Sequence, residues 1–342
     1  MSKSNKKSKD DSRKKVKKNS KDDSRKKVKK SKCKTILVTG GAGFLGRHLC
    51  GKLLEDPNNK VICLDNLISG KETNIDEFKP NVNFKFLKFD IIDKLFLEHV
   101  DEIYHLACIA SPVGYKKYPI ETIMVNTVGV KNVLDLAKIH GAKILITSTS
   151  EVYGEPLVHP QPEEYYGNVN PVGSRSCYDE SKRLAETFFY EYRKEFKVNT
   201  KIVRLFNTYG PYMDEQDGRV ISNFFAKIKH NQPLEIYGDG SKTRSFCYVS
   251  DTIDGIIKMM NSDEKGPINI GNPYCEFKII ELVKLLKKIT GKKLEVKYLD
   301  DTENDPKLRK PVIDKAKKRL KWEPKIELEE GLRRMYAHIK KN

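Results

Sequence analysis

The string Thr39-Gly40-Gly41-Ala42-Gly43-Phe44-Leu45-Gly46 narrows the possible folds of this chain more than any other feature. It follows Thr35-Ile36-Leu37-Val38-Thr39, a run that suits a buried strand, and opens into Arg47-His48-Leu49, where helical patterning begins. Glycines at 40, 43 and 46 permit a tight turn, close approach of backbone to a pyrophosphate at a helix N-terminus, and close packing of helix on strand. Alone, such a cluster reads equally as a structural turn. Its context is stronger, because Val61-Ile62-Cys63-Leu64 reads as the next strand and ends in Asp65-Asn66. A carboxylate at that distance accepts from a ribose 2′-hydroxyl and repels a 2′-phosphate, so NAD is expected and NADP is not.

Further apolar runs at 84–89, 103–106, 144–146 and 201–205 alternate with segments of helical periodicity such as 122–140. Strands alternating with helices predict a parallel sheet covered on both faces. Asp90-Ile91, closing the run at 84–89, are candidates for the adenine end; a capping or turn aspartate is the alternative. Leu106-Ala107, where the run at 103–106 closes, are candidates for the same cofactor. Beyond Pro211 the pattern loosens into loops rich in Gly, Pro and Asp, with helical stretches near 221–229, 251–260 and 277–290. The expected fold is α/β: a Rossmann-type doubly wound parallel sheet over 34–210, with 238–262 returning to it. A smaller C-terminal α/β substrate-binding lobe over 211–342 and a disordered basic tail over 1–33 complete it.

Charge follows this division. The 342 residues include 65 Lys and Arg against 47 Asp and Glu, yet residues 1–34 hold 17 of those bases and only four Asp. The body is close to neutral and gives no support for a nucleic-acid enzyme. Within the tail, SKDDSRKKVKK at 8–18 recurs unchanged at 20–30, with Val16 and Val28 as its only aliphatics. Such a segment buries too little surface to offset chain entropy. It reads as a solubilising extension or as an electrostatic arm for a polyanion. No apolar run reaches the roughly 18 residues of a membrane span, so a soluble, cytoplasmic protein is expected. Seven cysteines without a CxxC pair read as reduced thiols, and the histidines lack metal-ligand spacing, so no metal is expected.

Tyr178-Asp179-Glu180-Ser181-Lys182 opens a helical segment, and spacing i, i+4 puts the phenol and the ammonium on one face. A free tyrosine, with a pKa of about 10, is a poor base at neutral pH. A fixed cation and the nicotinamide charge favour its phenolate. The pair is suited to alcohol oxidation, and Ser148-Thr149-Ser150 closes a strand between it and the glycine string.

With these motifs the chain resembles the extended short-chain dehydrogenase/reductase family over about residues 34–340. Thr149-Ser150-Glu151-Val152-Tyr153-Gly154, Asn170-Pro171, Phe206-Asn207-Thr208-Tyr209-Gly210-Pro211, Asp217-Gly218-Arg219-Val220 and Arg309-Lys310-Pro311 narrow the resemblance to its UDP-glucuronic acid decarboxylases. The resemblance implies oxidation of C4 by bound NAD, loss of the C6 carboxylate as CO₂ and return of hydride, giving UDP-xylose. Tyr178 takes the C4 proton, Lys182 holds the ribose and lowers the Tyr178 pKa, and Ser148 or Thr149 hydrogen-bonds the C4 oxygen. Ser150 and Glu151 lie beside the sugar, where an Asp-Glu pair would instead eliminate water in nucleotide-sugar 4,6-dehydratases. Arg309 lies near the substrate carboxylate, and Tyr115, Asn207, Arg219, Val220, Asn223, Tyr237 and Arg244 fall where relatives hold nucleotide, diphosphate or sugar. A homodimer is implied, paired through two helices. Leu184, Phe188 and Tyr192 form one candidate stripe, and Val125, Val128, Asn132 and Leu136 the other.

Two departures from the family pattern stand out. Tyr212 replaces the usual arginine of Gly-Pro-Arg-Met, and Val113-Gly114-Tyr115 replaces a more usual Pro-Asn-Tyr. Alternatives are a nucleotide-sugar 4-epimerase or 4,6-dehydratase, or a non-catalytic NAD-sensing protein.

Overall fold

A computed structural model describes residues 33–301 and 308–341; the tail expected over 1–33 lies outside the described residues except for Cys33. Seven strands form one sheet: β1 (Lys34–Thr39), β2 (Asn59–Asp65), β3 (Phe84–Lys88), β4 (Glu102–His105), β5 (Lys143–Thr149), β6 (Thr200–Leu205) and β7 (Ile268–Ile270). Their order is β7-β6-β5-β4-β1-β2-β3, and every pairing is parallel. The order reverses between β1 and β4, the switch point at which open sheets of this kind bind ligands beyond the carboxyl ends of their strands.

Strand alternation builds a core on each face. Ile36 and Val38 pack with Leu49, Cys50 and Leu53 of α1 (Phe44–Leu54) and with Ile253 and Ile256 farther along the chain. Leu37 points the other way, among Val130, Val133, Leu134 and Ala137 of α2 (Val130–His140) and Ala185 and Phe189 of α3 (Ser176–Phe196). The return from beyond Pro211 is made by α4 (Val249–Asn261), which packs in the first core, and by β7 at the sheet edge. The expected return over 238–262 contains α4 but stops short of β7. The other expected C-terminal helices are formed at Val220–Lys229 and Ile279–Thr290, and Leu234–Tyr237 pairs in parallel with Val296–Leu299.

The helix expected over 122–140 is not uniform. It runs as Pro119–Met124, a π turn at Val125–Gly129, and then α2. Close packing accompanies the turn: a Cβ on Gly129 would lie 2.7 Å from the Ile91 side chain, and Asn126 Nδ2 donates to Ser181 Oγ of α3 at 3.0 Å. Among the described residues no helix is long and apolar enough to cross a membrane.

Candidate active site

Because the main strands are parallel, their carboxyl ends share one edge, and a cleft of about 1370 Å³ lies along it. The glycine string opens its floor. Gly40 has φ +72°, and a Cβ there would sit 2.7 Å from Ala107 N; a Cβ on Gly46 would sit only 2.1 Å from Gly40 O. No side chain fits at either place, which leaves bare backbone at the start of α1. Asp65, closing β2, accepts from Ala42 N at 3.0 Å and Leu67 N at 2.9 Å. Burial pushes its carboxyl up against these two donors, and each oxygen retains acceptor capacity for a ribose hydroxyl. This cradle fits NAD: Gly40, Gly43 and Gly46 would face the pyrophosphate, and Asp65 the ribose. Asp90 lines the cleft and is also a turn aspartate, accepting from Ile92 N at 3.0 Å and Asn66 Nδ2 at 2.8 Å.

At the other end, α3 presents Tyr178 and Lys182, both buried. The Tyr178 ring stacks on Tyr115 with centroids 5.1 Å apart and planes at 12°. Burial pushes the phenol far up, and the nearby Cys108 and Glu151 add to this; Thr149, by hydrogen bond, and Arg219, by charge, pull it down. Lys182 Nζ donates to Thr147 O at 3.1 Å. Ser148 Oγ donates to Glu186 Oε1 at 2.6 Å, while Thr149, on the opposite face of β5, bonds Tyr178. Of the two candidates for the C4 oxygen, the geometry favours Thr149.

Glu151 stands in the 3-10 turn Ser150–Tyr153 that continues β5. Its Oε2 accepts from Arg175 Nη2 at 2.5 Å and from Arg309 Nη2 at 3.3 Å, and Ser150 Oγ lies 3.4 Å from its Oε1. Burial pushes the carboxyl up, but the guanidinium groups of Arg309, Arg175 and Arg244 outweigh burial and bring it down to about 2. Asp179 is the counterpart. Burial and the Glu151 charge push its carboxyl up to about 7, against the pull of Arg175 and Arg309.

The expected site residues converge on this cleft with one exception. Gly40, Asp65, Leu106, Tyr115, Glu151, Tyr178, Asn207, Arg219, Asn223, Tyr237 and Arg244 all line it, whereas Arg309 does not. Arg309 is 1% exposed and pairs with Glu151, its Nη2 3.3 Å from Glu151 Oε2. The residue missed from the sequence is Arg175, three positions before Tyr178, which lines the cleft and bonds Glu151. Nothing in its local sequence sets it apart from other surface bases.

Comparison with known proteins agrees with this geometry. Residues 36–271 match the model of the NAD dependent epimerase/dehydratase family. The chain is 51% identical over 297 residues to UDP-glucuronic acid decarboxylase 5 of Arabidopsis thaliana, covering 87% of this chain and 86% of the relative. It is 47% identical over 308 residues to UDP-glucuronic acid decarboxylase 1 of Xenopus tropicalis, covering 90% and 72%. A solved structure of UDP-glucuronic acid 4-epimerase from Bacillus cereus, in complex with UDP-glucuronic acid and NAD, superposes with a TM-score of 0.80 at 30% identity, covering 90% of this chain and 99% of that one. Sequence, fold and cleft geometry thus converge: the chain belongs to the NAD dependent epimerase/dehydratase family.

Proposed function

We propose that the protein decarboxylates UDP-glucuronic acid to UDP-xylose, with one bound NAD serving as oxidant and then as reductant. The observation that carries this reading is the charge cluster beside Tyr178: Glu151 paired with Arg175 and Arg309, with Arg244 lining the same cleft. This density of guanidinium groups suits the carboxylate of an anionic sugar. Arg175 and Arg244 line the cleft and present the planar fork that suits it. The similarity to the Arabidopsis and Xenopus decarboxylases supports the same choice.

Tyr178 takes the C4 hydroxyl proton, helped by Thr149 and Arg219 against its burial. NAD, when bound, would supply the hydride acceptor for C4 and, after loss of CO₂, the hydride donor. Lys182 holds the ribose hydroxyls beside Tyr178. The C4 ketone stands β to the C6 carboxylate, so the electron pair of the breaking C5–C6 bond passes to the C4 oxygen, where Thr149 and Tyr178 hydrogen-bond it. Glu151, with Ser150, orients the water that delivers a proton to C5. Being ionised, it orders that water and does not itself store the proton. Too tight a grip by Arg175 and Arg244 would oppose departure of neutral CO₂, which favours a solvated contact over a fully buried pair.

NMR of the products from UDP-glucuronic acid tests the reading. UDP-xylose is expected; UDP-galacturonic acid would make the protein a 4-epimerase, and a 4-keto sugar retaining all carbons a dehydratase.

The proposal extends to a cytoplasmic homodimer, in keeping with seven unpaired cysteines among the described residues. Leu184 on α3 is exposed, as are Ile120, Ile123, Met124 and Val128 on the neighbouring helical run. These residues form the pairing face. Tyr192 and Leu136, part of the stripes expected from sequence, are buried in the core of a single subunit. Light scattering at micromolar concentration should give twice the 39.3 kDa chain mass. The basic tail remains the segment suited, by charge alone, to a polyanionic partner.

A further inference from the structure

The Tyr212 departure from the family pattern has a definite structural setting. Tyr212 adopts φ +66°, left-handed backbone that is uncommon for a residue with a side chain. This conformation accompanies a ring laid on the Arg47 guanidinium, whose carbon is 3.3 Å from the ring centroid. Arg47 is a buried residue of α1, directly after Gly46, and it is held from other sides by Glu77 at 2.9 Å and by the Phe78 ring at 5.5 Å. The flanking contacts fix the same point: His48 Nε2 hydrogen-bonds Pro211 O at 2.9 Å, and the His338 ring lies 4.5 Å from that of Tyr212.

Two residues on, Asp214 Oδ2 pairs with Lys71 Nζ at 2.7 Å. Lys71 belongs to the loop after Asp65, and its backbone N–H donates to Ala42 O of the glycine string at 3.2 Å. At the far end of the same segment Arg219 Nη2 donates to Ala110 O at 2.9 Å. Segment 211–219 is therefore tied at one end to the glycine string and the ribose loop, and at the other beside the phenol. Tyr212, Asp214 and Lys71 all line the cleft, while Arg47 lies behind it.

We propose that segment 211–219 is a strap across the dinucleotide end of the cleft, fastened by Tyr212 on Arg47 and by Asp214 on Lys71, and that this fastening sets how long NAD stays bound. A reaction that returns its dinucleotide to the starting state gains from slow exit, since loss between oxidation and reduction would strand a 4-keto sugar. The strap needs NAD in the cleft and is indifferent to which sugar is turned over; to that extent alone it rests on the function proposed above. The stack covers a buried guanidinium and supplies most of the fastening. The Lys71–Asp214 pair is exposed and supplies less.

The test loads the full chain with tritiated NAD, chases with unlabelled NAD and follows the bound label. Tyr212→Gly accepts the same backbone conformation without a ring and should release NAD about tenfold faster than wild type. Tyr212→Phe keeps the aromatic face and should stay within about twofold of wild type. Asp214→Asn should fall between, at about threefold. Equal release from wild type and Tyr212→Gly overturns the proposal, and so does a Tyr212→Phe variant as fast as Tyr212→Gly. If wild type exchanges its label at once yet still makes UDP-xylose, the strap fails while the functional reading stands.

Discussion

Replacing Arg309 with alanine probes the charge cluster at its most buried member. The side chain is 1% exposed, with Nη2 3.3 Å from Glu151 Oε2. Removing one partner of a buried pair costs about 3–5 kcal/mol. Arg175 remains on the same carboxylate oxygen, which sets the expected loss at the low end, about 3 kcal/mol. At about 2 °C per kcal/mol for a chain of this size, the melting temperature should fall by about 6 °C. The loss should also depend on pH. Glu151 is depressed to about 2 in the folded protein, so it contributes stability that is present above its unfolded value of about 4.3 and lost as pH falls through the folded one. Arg309→Ala raises the folded value and shrinks that contribution. The gap between wild type and variant should be widest above pH ~4.3 and narrow toward pH ~2. Arg309→Met, which retains most of the volume, separates charge from cavity and should show the same narrowing. In single turnover, NADH absorbance should still appear while CO₂ release slows, with Arg309→Lys restoring part of the rate because an ammonium lacks the guanidinium fork. A pH-independent gap together with normal CO₂ release would refute the reasoning and reduce Arg309 to a packing residue.

The remaining predictions are briefer. Tyr178→Phe should lose roughly 10²–10⁴-fold in kcat, the range for a positioned acid–base group, with NAD still bound; a variant with half the wild-type turnover would remove Tyr178 from the mechanism. Asp179→Asn should be more stable than wild type above pH 7. The folded carboxyl, raised to about 7, binds a proton that the unfolded one has released, so wild-type stability declines as pH rises from ~4 to ~7. Melting curves for the two that run parallel with pH would contradict this. Deleting residues 1–31 should leave melting temperature and kcat unchanged, as measured on the truncated chain; a clear drop in either would show that the tail acts on the body.

The sheet was legible wherever a strand was a run of β-branched and aliphatic residues bounded by glycine or aspartate, as at Ile36-Leu37-Val38 and Val61-Ile62-Cys63-Leu64. β7 was not, because Ile268-Asn269-Ile270 is three residues long and becomes a strand only by pairing with Val203-Arg204-Leu205. Tyr178 and Lys182 could be read from spacing on one helix. The choice between Ser148 and Thr149 could not, since adjacent strand residues face opposite sides and the sequence alone does not say which side holds the cleft. Arg175 and Arg309 mark the same boundary. One is three residues from Tyr178 and the other 158 residues from Glu151, and their shared carboxylate exists only after folding. The π turn at Val125–Gly129 likewise packs against Ile91 and Ser181, contacts that a helical period cannot register.

The central claim is that oxidation, loss of CO₂ and reduction occur on one dinucleotide that stays bound through each turnover. The most direct measurement supplies UDP-glucuronic acid labelled with carbon-13 at C6 to enzyme in the presence of excess NAD, and follows labelled CO₂, UDP-xylose and NADH together. The account predicts many equivalents of CO₂, each matched by one UDP-xylose, with NADH never exceeding the enzyme concentration. One NADH accumulating for each CO₂, with a 4-keto pentose in place of UDP-xylose, would contradict it.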